Sequence, residues 1–345
     1  MRFNPLSAIP FALLPLLAAA QTSSVELYGR IDLGINAIKY QGESGTRKTL
    51  SSDTSLFGLR GTEQLGGGLS AYFKLESGFQ ADTGTQSNAT TFFNRESYVG
   101  LRDATLGAID LGAHWSPFIF LTGKTDPFAR AQTGAQLSML QGSAVRGYTA
   151  MLPNSVQYLS PTLFGGLNMR LLVQMREDTP NKNLAASAEY TADRLYVGLA
   201  TDRIEVARAT IGAPGAGFVF SQTTGLGATY RFDGFKLFGY LQHNKVDTLA
   251  SAKGYLLGLT VPAGSGEFRA SWIQNQRATG DASLFAVGYA HNLSKRTMVY
   301  TSAALLDNSG ASRIAMFPSS QDMGTRVPAL GQDLRGIQVG VRHLF

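Results

Sequence analysis

The sequence predicts an all-β fold, a 16-stranded antiparallel transmembrane β-barrel, and three observations carry that reading. Apolar and polar residues alternate at period two in one segment after another. The connections between those segments alternate between short and long. An export leader opens the chain, yet no later window holds a run of about 18 apolar residues, so a membrane can only be crossed by strands.

The leader comes first. Arg2 precedes a mostly apolar run from Ile9 to Leu17, and Ala18-Ala19-Ala20 stand before Gln21, the n-region, apolar core and small-residue site of a signal peptide. Pro10 and Pro15 argue against a buried helix there, since each removes a helix hydrogen bond. Residues 1–20 are therefore expected to be removed, leaving 21–345 as a single barrel domain.

Segment 25–39 sets Val25, Leu27, Ile31 and Ile35 on one face and Glu26, Tyr28, Arg30 and Asp32 on the other, with no stripe at helical spacing. Segments near 54–63 and 69–81 follow, the second placing Ala71, Phe73 and Leu75 against Tyr72, Lys74 and Glu76. Next come 92–102, 106–114, 154–161 and 166–177, where Met169, Leu171 and Val173 oppose Arg170 and Gln174. The series continues through 184–192, 194–203, 221–232, 235–246, 252–262, 266–276, 281–292 and 296–306. It ends at 335–345, with Ile337, Val339, Val341 and Phe345 on one face and Gln338 and Arg342 on the other.

Connections 64–68, 103–105, 162–165, 193, 233–234, 263–265 and 293–295 are short; 40–53, 82–91, 115–153, 178–183, 204–220, 247–251, 277–280 and 307–334 are long or variable. Short turns at one end and longer loops at the other are the habit of outer-membrane barrels, and sixteen strands is the size at which a barrel keeps an aqueous lumen. Composition agrees. Charged residues make up 16%, against about a quarter in soluble chains, because a lipid-facing wall excludes charge. The 39 Gly suit turns and crowded wall positions, and Gly66-Gly67-Gly68 permits positive φ in a tight connection. Tyr28, Tyr158, Tyr230 and Tyr289 fall near strand ends, where interface aromatics sit.

Several strings then point to a family. Residues 55–75 read SLFGLRGTEQLGGGLSAYFKL and 92–101 read FFNRESYVGL, with LYGRIDLG at 27–34, DPF at 126–128, NSVQYLSP at 154–161, NLSKRT at 292–297 and GVRHLF at 340–345. In that order they resemble the trimeric Gram-negative porins of the β-proteobacterial type, and the resemblance spans nearly the whole of 21–345. It implies an outer-membrane channel for passive diffusion of small hydrophilic solutes and ions, assembled as a homotrimer among lipopolysaccharide and outer-membrane lipid. It implies that the 115–153 connection folds into the lumen as a constriction loop. It also implies that Phe345, as the last residue, is the signal read by the barrel-assembly machinery.

The constriction loop carries Lys124, Asp126, Arg130 and Arg146, and the lumen-facing parity of neighbouring strands adds Arg30, Arg60 and Lys74, opposed by Asp32 and Glu76. Arg95 is luminal by resemblance, although period two from Val99 and Leu101 points it outward, so a bulge or rim position is required. Rings of charge at close quarters set ion preference, and a net charge of +6, one unit of it from Arg2, favours anions in a low-dielectric tube. Leu56 and Ala113 stand where many relatives carry Arg, so the implied anion preference is weak to moderate.

Other functions find little footing. With no Cys, disulfide scaffolds, zinc–thiolate sites and thiol catalysis are excluded. His114, His243, His291 and His343 form no H-E-x-x-H, no G-x-S-x-G occurs, and the glycines at 212–217 lack the dinucleotide spacing. A barrel enzyme would need a Ser/His or Asp/His pair on neighbouring strands. Nucleic-acid binding is not expected, because the basic residues form no single stripe. No cofactor or metal is called for, and a barrel whose outer loops bind a host or phage is the remaining alternative.

Overall fold

The computed structural model describes residues 24–175, 182–316 and 326–345; the leader lies outside them, as do parts of the 178–183 and 307–334 connections. Its strands are β1 (Ser24–Tyr40), β2 (Thr46–Ser52), β3 (Leu56–Gly66), β4 (Leu69–Gln80), β5 (Thr85–Gln86), β6 (Ser97–Asp103), β7 (Gly107–Trp115), β8 (Met151–Leu159) and β9 (Leu167–Met175). They continue as β10 (Lys182–Thr191), β11 (Leu195–Ala207), β12 (Phe218–Arg231), β13 (Lys236–Val246), β14 (Leu249–Ala263), β15 (Gly266–Gln276), β16 (Ala282–Asn292), β17 (Thr297–Asn308) and β18 (Leu334–Leu344).

Adjacent strands pair antiparallel throughout, and β1 closes the sheet by taking β18 along its other edge, from Arg30 opposite Leu344 to Tyr40 opposite Leu334. β2 and β3 are halves of one wall strand, both paired to β1, and β5 is a two-residue flap on β4. The wall is thus a closed barrel of sixteen strands. Closure removes the edge strands that would otherwise expose unpaired backbone to lipid.

Two boundaries depart from expectation. Thr46–Ser52 was expected to be loop but is wall strand; its run of polar residues hides the alternation, since only Leu50 marks the outward face. At Asp53–Ser55 the ladder breaks, yet Asp53 N donates to Asp32 O (2.8 Å) and Asp32 N to Ser55 Oγ (3.0 Å), so the seam stays hydrogen-bonded. The strand expected at 92–102 begins only at Ser97, which leaves Arg95 in the preceding loop and dissolves its parity conflict.

The outer face carries the apolar alternation: Ile35, Leu101, Ile109, Leu226, Leu257 and Phe285 are all exposed, as a lipid-facing coat must be. At the short-turn end Tyr230 packs against Phe232 at 4.7 Å and Tyr289 against Phe268 at 4.8 Å, and Tyr158 joins Leu106 and Ile109 on the outer surface. Tyr28 is a correction. Its hydroxyl donates to Glu76 (2.9 Å) and its ring lies under Arg60, so it belongs to the lumen. Gly66, Gly67 and Gly68 all take positive φ, at 90°, 60° and 87°.

The barrel also has an apolar interior, which period two did not reveal. The 116–150 segment folds inside as α1 (Pro117–Thr125), α2 (Leu137–Leu140) and a short 3-10 turn at Ser143–Val145. Phe118, Leu121, Phe128, Leu137, Met139 and Leu140 are fully buried against inward residues of β11–β17 such as Tyr240, Leu256, Ile273 and Leu284. Wall glycines make the room. A Cβ at Gly225 would sit 2.7 Å from the Phe118 ring, and one at Gly227 would sit 2.6 Å from the Thr125 methyl. Against a wet lumen, each such side chain gains about 1.5–3 kcal/mol on burial, which is what holds a loop across an aqueous bore.

Candidate functional site

The inner loop is built to present one arginine. Ser116 caps α1, its Oγ accepting from Phe118 N at 3.4 Å, and Pro117 occupies the first turn, where a missing N–H costs nothing. Past α1 the chain reverses around Asp126, which accepts backbone N–H bonds from Phe128 (2.9 Å), Gln136 (3.0 Å) and Arg130 (3.2 Å). Burial pushes this carboxyl up to about 6 even so. Ala129, Arg130 and Gln132 take positive φ, and the reversal turns the Arg130 side chain away from the apolar interface. Its guanidinium donates to Thr122 Oγ1 (2.7 Å), Gln141 Oε1 (2.6 Å) and the Tyr148 hydroxyl, while Tyr148 stacks on Phe118 with centroids 5.0 Å apart.

Arg130 lines a cavity of about 450 Å³ together with Arg30, Arg95, Thr54, Trp115 and Gln141. Arg30 projects from β1, and the β2–β3 break holds it: Nε donates to Thr54 O (2.8 Å) and Nη2 to Thr54 Oγ1 (2.6 Å). The guanidinium of Arg95 lies 4.7 Å over the Trp115 ring. Three of the expected residues therefore converge on one cavity between wall and loop.

Their charges are not equivalent. Arg95 pairs with Glu76 (3.4 Å), and Lys74 pairs with Glu76 (3.1 Å) and Glu96 (2.6 Å), so two cations meet two carboxylates. Arg30 and Arg130 have no carboxylate within ion-pair distance among the described residues; their partners are neutral oxygens. Two of the three guanidinium groups at the cavity therefore lack an ion-pair partner among the described residues.

The other expected residues sit elsewhere. Arg60 faces inward near the short-turn end, paired with Glu26 at 2.8 Å. Lys124, at the end of α1, pairs with Glu189 at 2.9 Å and lies 4.7 Å over the Tyr196 ring. Asp126 does not line the cavity; it is buried inside the loop it organises. Arg146 does not line it either. It is buried near the long-loop end, where Nε donates to Asn244 Oδ1 (3.2 Å) and Nη1 to Ala250 O, tying the loop to β13 and β14. Phe345 exchanges two 3.1 Å backbone bonds with Gly29, and its ring covers that glycine at the β1–β18 seam.

Sequence reasoning missed Glu96, next to Arg95 in the same string, and did not name Arg342, which pairs with Asp32 at 2.5 Å, among the charges of the lumen. The period-two face that put Gln338 inward also held Arg342, so the signal was present. Trp115 and Thr54 carried none, since their places depend on how two non-strand segments turn. Leu56, opposite Arg30 on the neighbouring strand, is buried inward. His114 is not isolated: Nδ1 lies 2.8 Å from Ser155 Oγ on the next strand. Both side chains are buried and the hydroxyl is shared with Leu152 O (2.7 Å) and Gly112 O (3.1 Å), so the pair braces the bulge at Gly112/His114.

Comparison with known proteins agrees with this geometry. A family model described as Gram-negative porin matches residues 7–311. Outer membrane porin protein 32 of Delftia acidovorans is 31% identical over 361 residues, covering 95% of this chain and 96% of that one. An outer membrane porin protein of Bordetella pertussis is 27% identical, with coverage of 95% and 96%. Among solved structures, an anion-selective porin from Comamonas acidovorans superposes with a TM-score of 0.79 at 29% identity, covering 94% of this chain and all of that one.

Proposed function

The chain belongs to the Gram-negative porins, and from that premise we propose that its constriction gives the channel a weak to moderate preference for anions. It is an outer-membrane porin, a water-filled barrel for passive diffusion of small hydrophilic solutes and ions. One observation carries the anion reading: Arg30 and Arg130 line the cavity with no ion-pair partner among the described residues, while Arg95 and Lys74 are matched by Glu76 and Glu96. Two free guanidinium charges in a narrow low-dielectric passage raise the local anion concentration. The similar porin described as anion-selective supports the same sign. The test is the reversal potential of the purified protein in a planar bilayer under a potassium chloride gradient. Its sign is expected on the anion side; a cation sign overturns the reading.

The same reading includes a homotrimer in contact with lipopolysaccharide and outer-membrane lipid, seen as conductance rising in threes. Phe345 then serves the barrel-assembly machinery as well as the seam, so Phe345→Ala should slow insertion of the protein into the outer membrane. Residues 1–20 are lost on export, so the mature protein should begin at Gln21. The barrel acts as a channel rather than an enzyme, and purified protein should leave phospholipid and peptide substrates intact.

A further inference from the structure

Towards the short turns lie two further cavities, of about 660 and 270 Å³, that share Lys124. Arg102 of β6 and Arg170 of β9 line the larger; Arg231 of β12 and Lys236 of β13 line the smaller. Three of the four share a mode of support. Arg170 lies 3.8 Å over the Phe120 ring, Arg102 4.5 Å over Tyr72 and Lys236 4.6 Å over Phe238. Among the described residues, Arg102, Arg170, Arg231 and Lys236 have no carboxylate within ion-pair distance. Across the mouth the pattern reverses: Arg60 is paired with Glu26 and Arg342 with Asp32.

An aromatic face orients a cation without neutralising it. A carboxylate orients it and cancels its charge. On this arc the charge is therefore kept for a mobile partner. Arg170 Nη1 is held by Gln157 Oε1 at 2.8 Å, and its buried Nε has no hydrogen-bond partner among the described residues. The carboxylates of the region are otherwise engaged: Glu189 with Lys124 and Tyr196 (both 2.9 Å), Asp110 with Gln157 (3.2 Å) and the Tyr72 hydroxyl, Asp103 with the backbone N–H groups of Thr105 (2.8 Å) and Leu106 (2.9 Å), and Asp193 with Arg194 (3.8 Å).

We propose that this arc of the short-turn mouth is a second anion station, formed by Arg102, Arg170, Arg231 and Lys236, which holds multivalent oxyanions after they pass the constriction. The ligand class is an oxyanion carrying two negative charges, because a guanidinium fork matches paired carboxylate or phosphate oxygens and chloride offers no such pair. The proposal rests on the anion reading of the constriction and adds a place where the solute pauses.

The test is single-channel conductance against concentration for potassium phosphate and potassium succinate, with potassium chloride as reference, in the wild type and in Arg102→Gln/Arg170→Gln. The wild type should saturate at lower concentration in phosphate and succinate than in chloride. The double variant should raise the half-saturating concentration of both by about threefold, the size of one exposed ion pair, while its chloride reversal potential keeps the anion sign set at the constriction. Equal half-saturation in wild type and variant overturns the station and leaves the constriction reading intact. A cation-sign reversal potential in the wild type fails the constriction reading instead. Should the double variant not insert, Arg102→Gln and Lys236→Gln taken singly decide: a rise in either supports the station, and no change in both overturns it.

Discussion

The two halves of the barrel's inner surface are built on opposite principles. Where the inner loop docks, β11 to β17 turn apolar side chains and bare glycines inward, and the loop is sealed onto them by Phe118, Leu121, Phe128 and Leu140. From β1 to β9 the wall turns Arg30, Asp32, Lys74, Glu76, Asp110 and Arg170 inward, with a cavity between wall and loop. The first half decides where the loop stands; the second decides what the remaining opening favours. A selective constriction needs both, because a charged loop without an apolar footing would have nothing to keep its arginine at a fixed distance from the wall.

The largest effect should follow from breaking the seal. Phe118→Ala removes a ring buried between Tyr148 and Gly225 and should cost about 3–5 kcal/mol of loop docking. Gly225→Val, which drives a branched side chain into the same ring, should cost about 1–3 kcal/mol. Both should open the 115–153 segment to protease and enlarge the single-channel conductance, whereas Leu226→Ala, one residue away on the lipid face, should do neither. Unchanged conductance and protection in both inward variants would show that the loop is held by something other than this footing.

Asp126 offers a graded way to loosen the loop. Its carboxyl is lifted by burial to about 6 in the folded loop, above the ordinary aspartate value, so the folded form binds the proton more tightly than the free chain does. Its contribution to loop order is therefore greatest below about pH 4 and is lost as pH rises through about 6, by at most roughly 3 kcal/mol. Hydrogen-exchange protection in 126–136, taken relative to the intrinsic rate at each pH, should fall across that window, and Asp126→Asn should abolish the fall while the rest of the barrel is unaffected. Protection that stays constant with pH in the wild type would contradict the burial argument.

How far the sequence reached differs between the same two halves. The charged wall was legible, because strand parity at Arg30, Arg60, Lys74 and Glu76 follows from period two once the outward face is known. The outer coat was legible for the same reason. The apolar footing was not: residues such as Leu256 and Ile273 point inward on strands whose outward residues are also apolar, so the alternation is blurred just where the loop docks. Within the loop, charge count alone put Arg130, Arg146 and Asp126 on one footing. Only the positive-φ reversal at Ala129–Arg130 and the three N–H bonds to Asp126 separate the residue that faces the cavity from those that hold the fold.

Smaller effects come from retuning the charged half without moving the loop. Arg130→Gln removes an unmatched charge, whereas Glu96→Gln frees Lys74 from one of its two carboxylates. Each changes the constriction by one unit in opposite senses. An unscreened unit charge about 4 Å from a passing ion is worth about 1 kcal/mol in water, so the anion-to-cation permeability ratio should fall several-fold in the first and rise in the second.

Leu56→Arg should give the smallest shift. The position lies opposite Arg30 and faces inward, so a cation there enlarges the unmatched cluster. Leu56 is buried, however, and a guanidinium must reach past Arg30 to find the water of the constriction, where solvent screens it. A rise in anion preference smaller than that of Glu96→Gln, measured as reversal potential at fixed gradient, is the expected result. A larger rise would mean that the gap between wall and loop at Leu56 is drier than the cavity beside it, and that this position, more than the Lys74–Glu96 pair, sets the selectivity of the charged half.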